Sequence, residues 1–455
     1  MFEEGVAQGE AAEMRERPVP EPLNREPWWQ RFGSEVQAWL RQIAQFPCDP
    51  LPRLILADAL EEADAPARAE FIRLQVQRLG THLLSWDDDS SLTRRERRLL
   101  ARHRAEWLQG LPKDLKWQFW GGLVEGVEIG QAEELERAKR HLDVRRVLWR
   151  VNSRENLLTH LSLLSGVVAL HLSGRRLEAA GVALLVHSPS VQDLAVLNLW
   201  DHRINVSGAA TLANSPYLQN LSALHLGNND LGNYGVQALA ESPYLGNLKV
   251  LNLHCNRIGP AGILAFAQSP QFHQLTTLIV SRNPLGDAGA EALAQSANWP
   301  NLAVLNLGYA EIGPAGAAAL AQSALLQNLT TLNLQGNAIG DEGAAALAAS
   351  PHLQKLTTLE LGGNNIGDDG AAALATSPHL QKLTTLILWN NRLTTAGAKA
   401  LAQSPFLQNL ATLKLQGNSI SDEGWDAMQK SPHLRRCRSD LRLQRRKTSG
   451  TGDPP

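Results

Sequence analysis

The chain has 455 residues and carries 43 Lys and Arg against 45 Asp and Glu, a formal net charge of -2. That balance excludes a globally basic nucleic-acid binder and a charged membrane-surface protein. At 44% hydrophobic and 19% charged the chain can bury a large core, and aromatics at only 5% point to a thin, regular one built from Leu, Ala and Gly.

Residues 1–33 are acidic and Pro-rich, and are expected to be a disordered tail. They hold no apolar h-region, and no run of about 18 apolar residues occurs anywhere, so neither a secretory signal nor a membrane span is expected. Cys48, Cys255 and Cys437 lie far apart with no C-x-x-C pair, which excludes a disulfide scaffold or a cysteine zinc site. The expected setting is reducing and cytoplasmic.

Residues 34–120 read as short amphipathic helices. Leu51, Leu54, Ile55 and Leu60 make one apolar face; Phe71, Leu74 and Leu79 make another beyond the turn Ala63-Asp64-Ala65-Pro66, which predicts an αα-hairpin. The acidic run Trp86 to Ser91 lacks the glycine and distal glutamate of a calcium loop and reads as helix-starting carboxylates. The segment GGLVEGVEI from Gly121 reads as a first strand.

A repeat governs the remainder. Leu194, Leu221, Leu248, Leu275, Leu302, Leu329, Leu356, Leu383 and Leu410 open the same pattern at a spacing of 27, and Val167 opens an earlier copy. In the copy beginning at Leu329, the residues Leu329, Leu332, Leu334 and Ile339 face inward around a short strand. Asn337 is expected to bond the backbone of its turn and of the next coil. Gly340 relaxes the turn, Asp341 is the expected N-cap of the helix that follows, and Ser350-Pro351 ends it. Arg175, His202 and Ala310 occupy the asparagine position, so the ladder is expected to break there. An irregular copy, VRRVLWRVN, starts at Val144; Trp425, Asp426, Gln429 and Lys430 suit a polar end-cap; residues 435–455 are basic and read as a mobile tail.

The repeat pattern resembles the leucine-rich-repeat family, in its longer ribonuclease-inhibitor-like type, over about residues 144–434. The resemblance implies an α/β solenoid, a horseshoe with a concave parallel β-sheet and convex helices, occupying residues 121–434. The stretch from Asp49 to Gln75 resembles the short helical companion domain that precedes repeat arrays in many bacterial proteins. It implies a small α-helical N-terminal cap at residues 34–120, with no activity of its own. Arg53, Asp58, Arg68 and Glu70 there read as inter-helix ion pairs.

No catalytic spacing is present: there is no P-loop, HExxH, GxSxG or strand-following GxGxxG. The histidines are scattered, so no metal, cofactor or small-molecule substrate is implied, and Cys255 has no assignable base. What remains is a surface. Strand alternation turns repeat positions 3, 5, 7 and 8 to the concave side. Two clusters stand out there as candidate partner-binding sites: Trp200, Asp201, His225, His254 and Arg282, then Glu360, Trp389, Asn390 and Lys414. The middle repeats, with Gly at position 7 or 8, read as featureless.

The expectation is therefore a monomeric, non-enzymatic scaffold that binds an unidentified protein partner on the concave face. Two alternatives stay open: a regulator of an enzyme, such as a GTPase activator using a loop arginine (Arg203, Arg257 or Arg392), and a nucleic-acid or acidic partner held by the basic tail.

Overall fold

Short strands spaced one repeat apart hydrogen-bond into a single sheet. The computed structural model describes residues 38–40, 42–43, 51–82, 93–121, 123–438, 440–441 and 444, with side chains omitted for 77–82. The acidic leader, Cys48, the Trp86–Ser91 run and most of the basic tail lie outside these residues, as does the side chain of Leu79.

Among the described residues there are thirteen strands: β1 Lys116–Trp120, β2 Leu123–Ile129, β3 Arg146–Val151, β4 Ala169–Gly174, β5 Val196–Asn198, β6 Ala223–His225, β7 Val250–Asn252, β8 Thr277–Ile279, β9 Val304–Asn306, β10 Thr331–Asn333, β11 Thr358–Glu360, β12 Thr385–Ile387 and β13 Thr412–Lys414. They stand side by side in chain order. The β1–β2 pair is antiparallel and each later pair is parallel. The middle leucine of every strand from β5 to β13 pairs in register with its counterpart, so the pleat turns one continuous column inward. Helices return the chain behind the sheet, and the core between the layers is an uninterrupted stack of buried Leu, Val, Ile and Ala.

Three ladders of side chains tie the coils together. In the first, Asn256 Oδ1 accepts from the N–H groups of Asn229 and Leu231, while Nδ2 donates to the carbonyls of Leu226 and His254. Asn229, Asn283, Asn337 and Asn391 repeat the arrangement. The bonds reach the preceding coil, not the next one as the sequence suggested, because the turn that needs partners lies one repeat behind.

The expected breaks are only partly breaks. His202 is buried; its Nδ1 accepts the Leu177 N–H at 3.2 Å and its Nε2 donates to the Leu172 carbonyl at 3.2 Å. The imidazole thus presents one acceptor and one donor where the carboxamide would, and those partners require the neutral Nε2–H tautomer. Burial holds its pKa below the ordinary histidine value. At Ala310 the ladder does stop, and the Leu285 N–H turns to the carbonyl of Asn283 instead. Arg175 is exposed and supplies no such bond.

The second ladder was not visible beforehand. Ser215, Ser242, Ser269, Ser350, Ser377, Ser404 and Ser431 are buried, and each hydroxyl donates to the carbonyl 29 residues earlier at the end of the preceding helix. The third corrects the role of Asp341. It does not cap its own helix, Gly340–Ala349, which starts from Ile339. Its carboxylate accepts the N–H groups of Gly367 and Gly370 at 2.7 and 2.9 Å, capping the next helix, Asp368–Thr376. Asp287 and Asp368 do the same for the helices that follow them.

The ends are closed by different means. The Leu51–Glu62 and Pro66–His82 helices pack as a hairpin. Its buried face is Leu56, Ala57 and Leu60, whereas Leu51 and Leu54 are exposed, a correction to the expected face. Phe71 is fully buried and Leu74 packs beside it. Asp58 pairs with Arg73, and Glu70 with Arg95 of the Arg94–Trp107 helix, so these two are inter-helix ion pairs as read. Arg53 pairs with the sheet instead, and Arg68 interacts with the charge of Glu106 on that same Arg94–Trp107 helix.

Arg53 is buried and reaches the sheet, bonding Glu125 of β2 at 2.8 Å and the Trp120 carbonyl of β1 at 3.2 Å. Arg68 is buried with its guanidinium 4.5 Å from the Trp107 ring centre; burial lowers its pKa to about 9. Arg104 donates to the Trp117 carbonyl of β1, a strand that falls inside the segment expected to be all helical. Arginines from the helices thus occupy carbonyls on an edge strand that would otherwise template another chain.

At the far end, Cys437 and Leu441 join the core, and Gln444 bonds the carbonyl of Leu413 and the N–H of Leu415 as a further strand would. The segment expected to be a mobile tail from 435 onward therefore begins as part of the packed array. Trp425 is buried beneath it, not exposed as a polar cap residue would be.

Candidate functional site

Position 8 of each repeat ends the strand or follows it and carries the chain into its turn in the left-handed region. Gly174, Gly336, Gly363 and Gly417 occupy it in four repeats, and Asp201, Asn228, Cys255, Arg282, Tyr309 and Asn390, with φ of 49° to 62°, in six. Asp and Asn tolerate this conformation; Cys, Arg and Tyr do so at roughly 1 kcal/mol or more each. Those three are consecutive, at 255, 282 and 309.

Their side chains explain the arrangement. The Arg282 guanidinium stacks on the Tyr309 ring, 4.6 Å from its centre. Tyr309 lies across Gly336, where a Cβ would overlap the ring, and its hydroxyl accepts from Gln335 Nε2 at 2.9 Å. Trp200 lies in the same way across Gly227 and meets His254, two strands along, at 5.1 Å between ring centres and 24° between planes. Trp389 lies over Gly362. Each aromatic is thus seated on a glycine one repeat away, and the glycines that read as featureless are the seats. A difference of 27 between an aromatic and a glycine at position 7 or 8 is the signal that reveals them.

Trp200, His254, Arg282 and Tyr309 line one hollow of about 260 Å³ with amides of β7, β9 and β10. Trp200 and Tyr309 are each about 40% exposed, high for large apolar rings in such an array. Asn252 Oδ1 accepts the His254 N–H and Asn306 Oδ1 the Gly308 N–H, which fixes both amides with their NH2 groups as the remaining donors. His254 Nδ1 contacts the Ser281 hydroxyl at 2.8 Å; burial, then the nearby Arg282 charge, lowers its pKa.

The first expected cluster is brought together only in part. Trp200, His254 and Arg282 share the hollow. His225 is buried in the sheet, and Asp201 turns aside to Arg176 at 2.8 Å and to Asn228. The second cluster does not converge. Glu360 accepts from Asn333 at 2.7 Å, and burial raises its pKa. Lys414 pairs with Asp440 of the end segment at 2.7 Å, and Asn390 stands exposed beside Gly417. Tyr309, Asn252 and Asn306 are among the lining residues that the two clusters omitted.

Of the loop arginines, Arg257 pairs with Asp230, and Arg203 and Arg392 are exposed. Among the described residues no group of three His, Cys, Asp or Glu side chains is placed to hold a metal ion, and no helix is long and apolar enough to cross a membrane. The thiol of Cys437 is pushed up to about 11 by burial, which makes it inert as a nucleophile at neutral pH.

A leucine-rich-repeat family model matches residues 217–240, 247–267, 273–294, 300–321, 326–348, 352–375, 379–402 and 406–428. No curated protein matches the chain. Among solved structures, it is similar to an internalin from Listeria monocytogenes (22% identity, 74% of this chain and 92% of that one, TM-score 0.38). It is also similar to a chain of the yeast Rad7 and Elc1 complex (16% identity, 88% and 97%, TM-score 0.48) and of PEPR1-AtPEP1 (19% identity, 64% and 41%, TM-score 0.35). With eight matched copies on an unclosed sheet of strand, turn and helix units behind a helical cap, the chain is a leucine-rich-repeat protein.

Proposed function

We propose that this protein is a non-enzymatic interaction scaffold that binds a protein partner on the concave face of the sheet, centred on the hollow between β5 and β10. The observation that carries this reading is the pair of half-exposed rings, Trp200 and Tyr309, seated flat on glycines beside the exposed Arg282. Tryptophan, tyrosine and arginine supply most of the binding energy in protein interfaces. Here they sit on a rigid sheet, so little ordering is needed on association. Among the described residues Arg282 is the single Lys or Arg lining the hollow, which suits a protein better than a polyanionic nucleic acid.

The finer assignments belong to the same reading. Residues 34–120 serve as cap and 121–434 as binding array; the helix in each repeat favours the ribonuclease-inhibitor-like type. The chain acts as a cytoplasmic monomer of bacterial type. The test is capture from native lysate by the intact chain and by a Trp200→Ala, Tyr309→Ala variant of equal melting temperature. A partner retained by the first and lost by the second is expected. Equal retention would move the site off this face.

A further inference from the structure

Arg282 carries its charge on the concave face without a carboxylate partner among the described residues. Of the described arginines of the array, Arg137, Arg140, Arg145, Arg150, Arg154, Arg176 and Arg257 each have a carboxylate within ion-pair distance, whereas Arg175, Arg203 and Arg392 share the lack of one but lie outside the hollow. Among the described residues no carboxylate lies within ion-pair distance of Arg282, and none lines its hollow. One face of the guanidinium is occupied by the Tyr309 ring. Stacking uses the face of the plane and leaves the in-plane N–H donors, the ones that grip a carboxylate in a two-pronged fit.

The neighbours point the same way. Asn252 and Asn306 have their oxygens committed to backbone N–H groups, so they offer NH2 donors toward the hollow. The site is rich in donors and poor in acceptors, with one uncompensated positive charge. An amide-flanked single guanidinium matches one monoanion; a phosphate dianion calls for several cations. The backbone supplies an independent sign: arginine is held at a left-handed position where four other repeats use glycine. Strain of this kind is retained where a side chain is needed.

We infer that the Arg282 hollow is the anchor for an aspartate or glutamate side chain on an extended acidic segment of the partner, its carboxylate held by Arg282 between the amides of Asn252 and Asn306 and its flanking residues lying on Trp200 and Tyr309. This rests on the reading of the concave face as the binding surface. A side chain is favoured over a chain terminus because the hollow lies in mid-sheet, with strands continuing on both sides.

The test uses immobilised hexapeptide pools, acetylated and amidated at their ends, each with one residue type fixed at the centre. The intact chain is expected to be retained at least tenfold more on Asp- and Glu-fixed pools than on Lys-fixed pools, and about fivefold more than on Asn- and Gln-fixed pools. Arg282→Gly, which suits the backbone, should abolish that preference without lowering the melting temperature; Arg203→Gly, which removes a cation outside the hollow, should keep it. Equal retention across the pools overturns the inference, as does a preference that survives Arg282→Gly. A preference appearing only with free carboxyl termini assigns the hollow to a chain end and also overturns it. The two readings fail separately: a lysate partner lost on Trp200→Ala, Tyr309→Ala but kept on Arg282→Gly preserves the surface and removes the acid anchor.

Discussion

Replacing Asn256 by alanine tests whether the amide ladder, more than the leucine stack alone, holds adjacent coils together. Asn256 is fully buried, and its carboxamide accepts from Asn229 N–H at 3.0 Å and Leu231 N–H at 3.4 Å while donating to the Leu226 carbonyl at 2.8 Å and the His254 carbonyl at 3.2 Å. Alanine leaves two buried N–H groups without their acceptor, at about 1–3 kcal/mol each. The longer bond belongs at the low end of that range, and removal of the amide's own desolvation cost offsets part of the sum. The expected loss is about 3 kcal/mol, near a hundredfold in a local opening equilibrium. Urea unfolding should report the loss, and hydrogen exchange should show faster amides at Asn229 and Leu231 with little change at Leu413. Because His202 fills the same role with an imidazole, Asn256→His should recover part of the loss above pH 7. A loss below about 1 kcal/mol, with both amides still protected, would refute the reasoning.

Stability should fall with acidity in a window set by buried histidines. The pKa of His171 is lowered to about 4, by burial and then by His225 and His202, and those of His202 and His254 are lowered too. The unfolded chain therefore binds more protons below about pH 6.5, so stability is full above that value and declines as pH falls toward 4. Urea midpoints at pH 7.5, 6 and 5 check this, and His202→Asn should flatten the slope; a midpoint that rises on acidification would contradict it. Cys255→Gly should exceed Cys255→Ala in stability by about 0.5–1 kcal/mol, since only glycine relieves the left-handed φ of 53°; calorimetry on the pair decides. Gln444→Ala should cost about 1–2 kcal/mol and speed exchange of the Leu415 amide, while repeats near β5 keep their protection.

The solenoid was legible in the sequence because its determinants are local and repeated. A leucine column at a period of 27 can be buried in one way, and Ser-Pro marks most of the helix ends without any knowledge of contacts. What escaped depends on the neighbouring coil. Asp341 looks like a cap for its own helix until the next helix start is seen beside it. His202 looks like a fault until both ring nitrogens find the partners of an amide. Arg53 and Arg68 look like surface ion-pairing residues, yet one is drawn to Glu125 far along the chain and the other to aromatic rings. The candidate site shows the same division. Trp200, His254 and Arg282 could be picked out by residue type, but Asp201 and Lys414 were claimed by Arg176 and Asp440, partners outside the strand positions. Tyr309 became a member only through the glycine on which it rests.

The ladders also confer a direction on the array. Asparagines reach backward to the preceding coil, whereas the aspartate caps reach forward to the following helix. The units 329–355 and 356–382 each carry one of each, Asn337 with Asp341 and Asn364 with Asp368, and so satisfy both of their new neighbours when copied in frame. Residues 350–359 and 377–386 are identical, the trace such a copying event leaves. An insertion of any other length would strand an amide on one side and a bare helix start on the other. Heredity can thus lengthen this protein in whole steps without inventing a new interface, and selection remains free to alter the side chains that ride on the concave face.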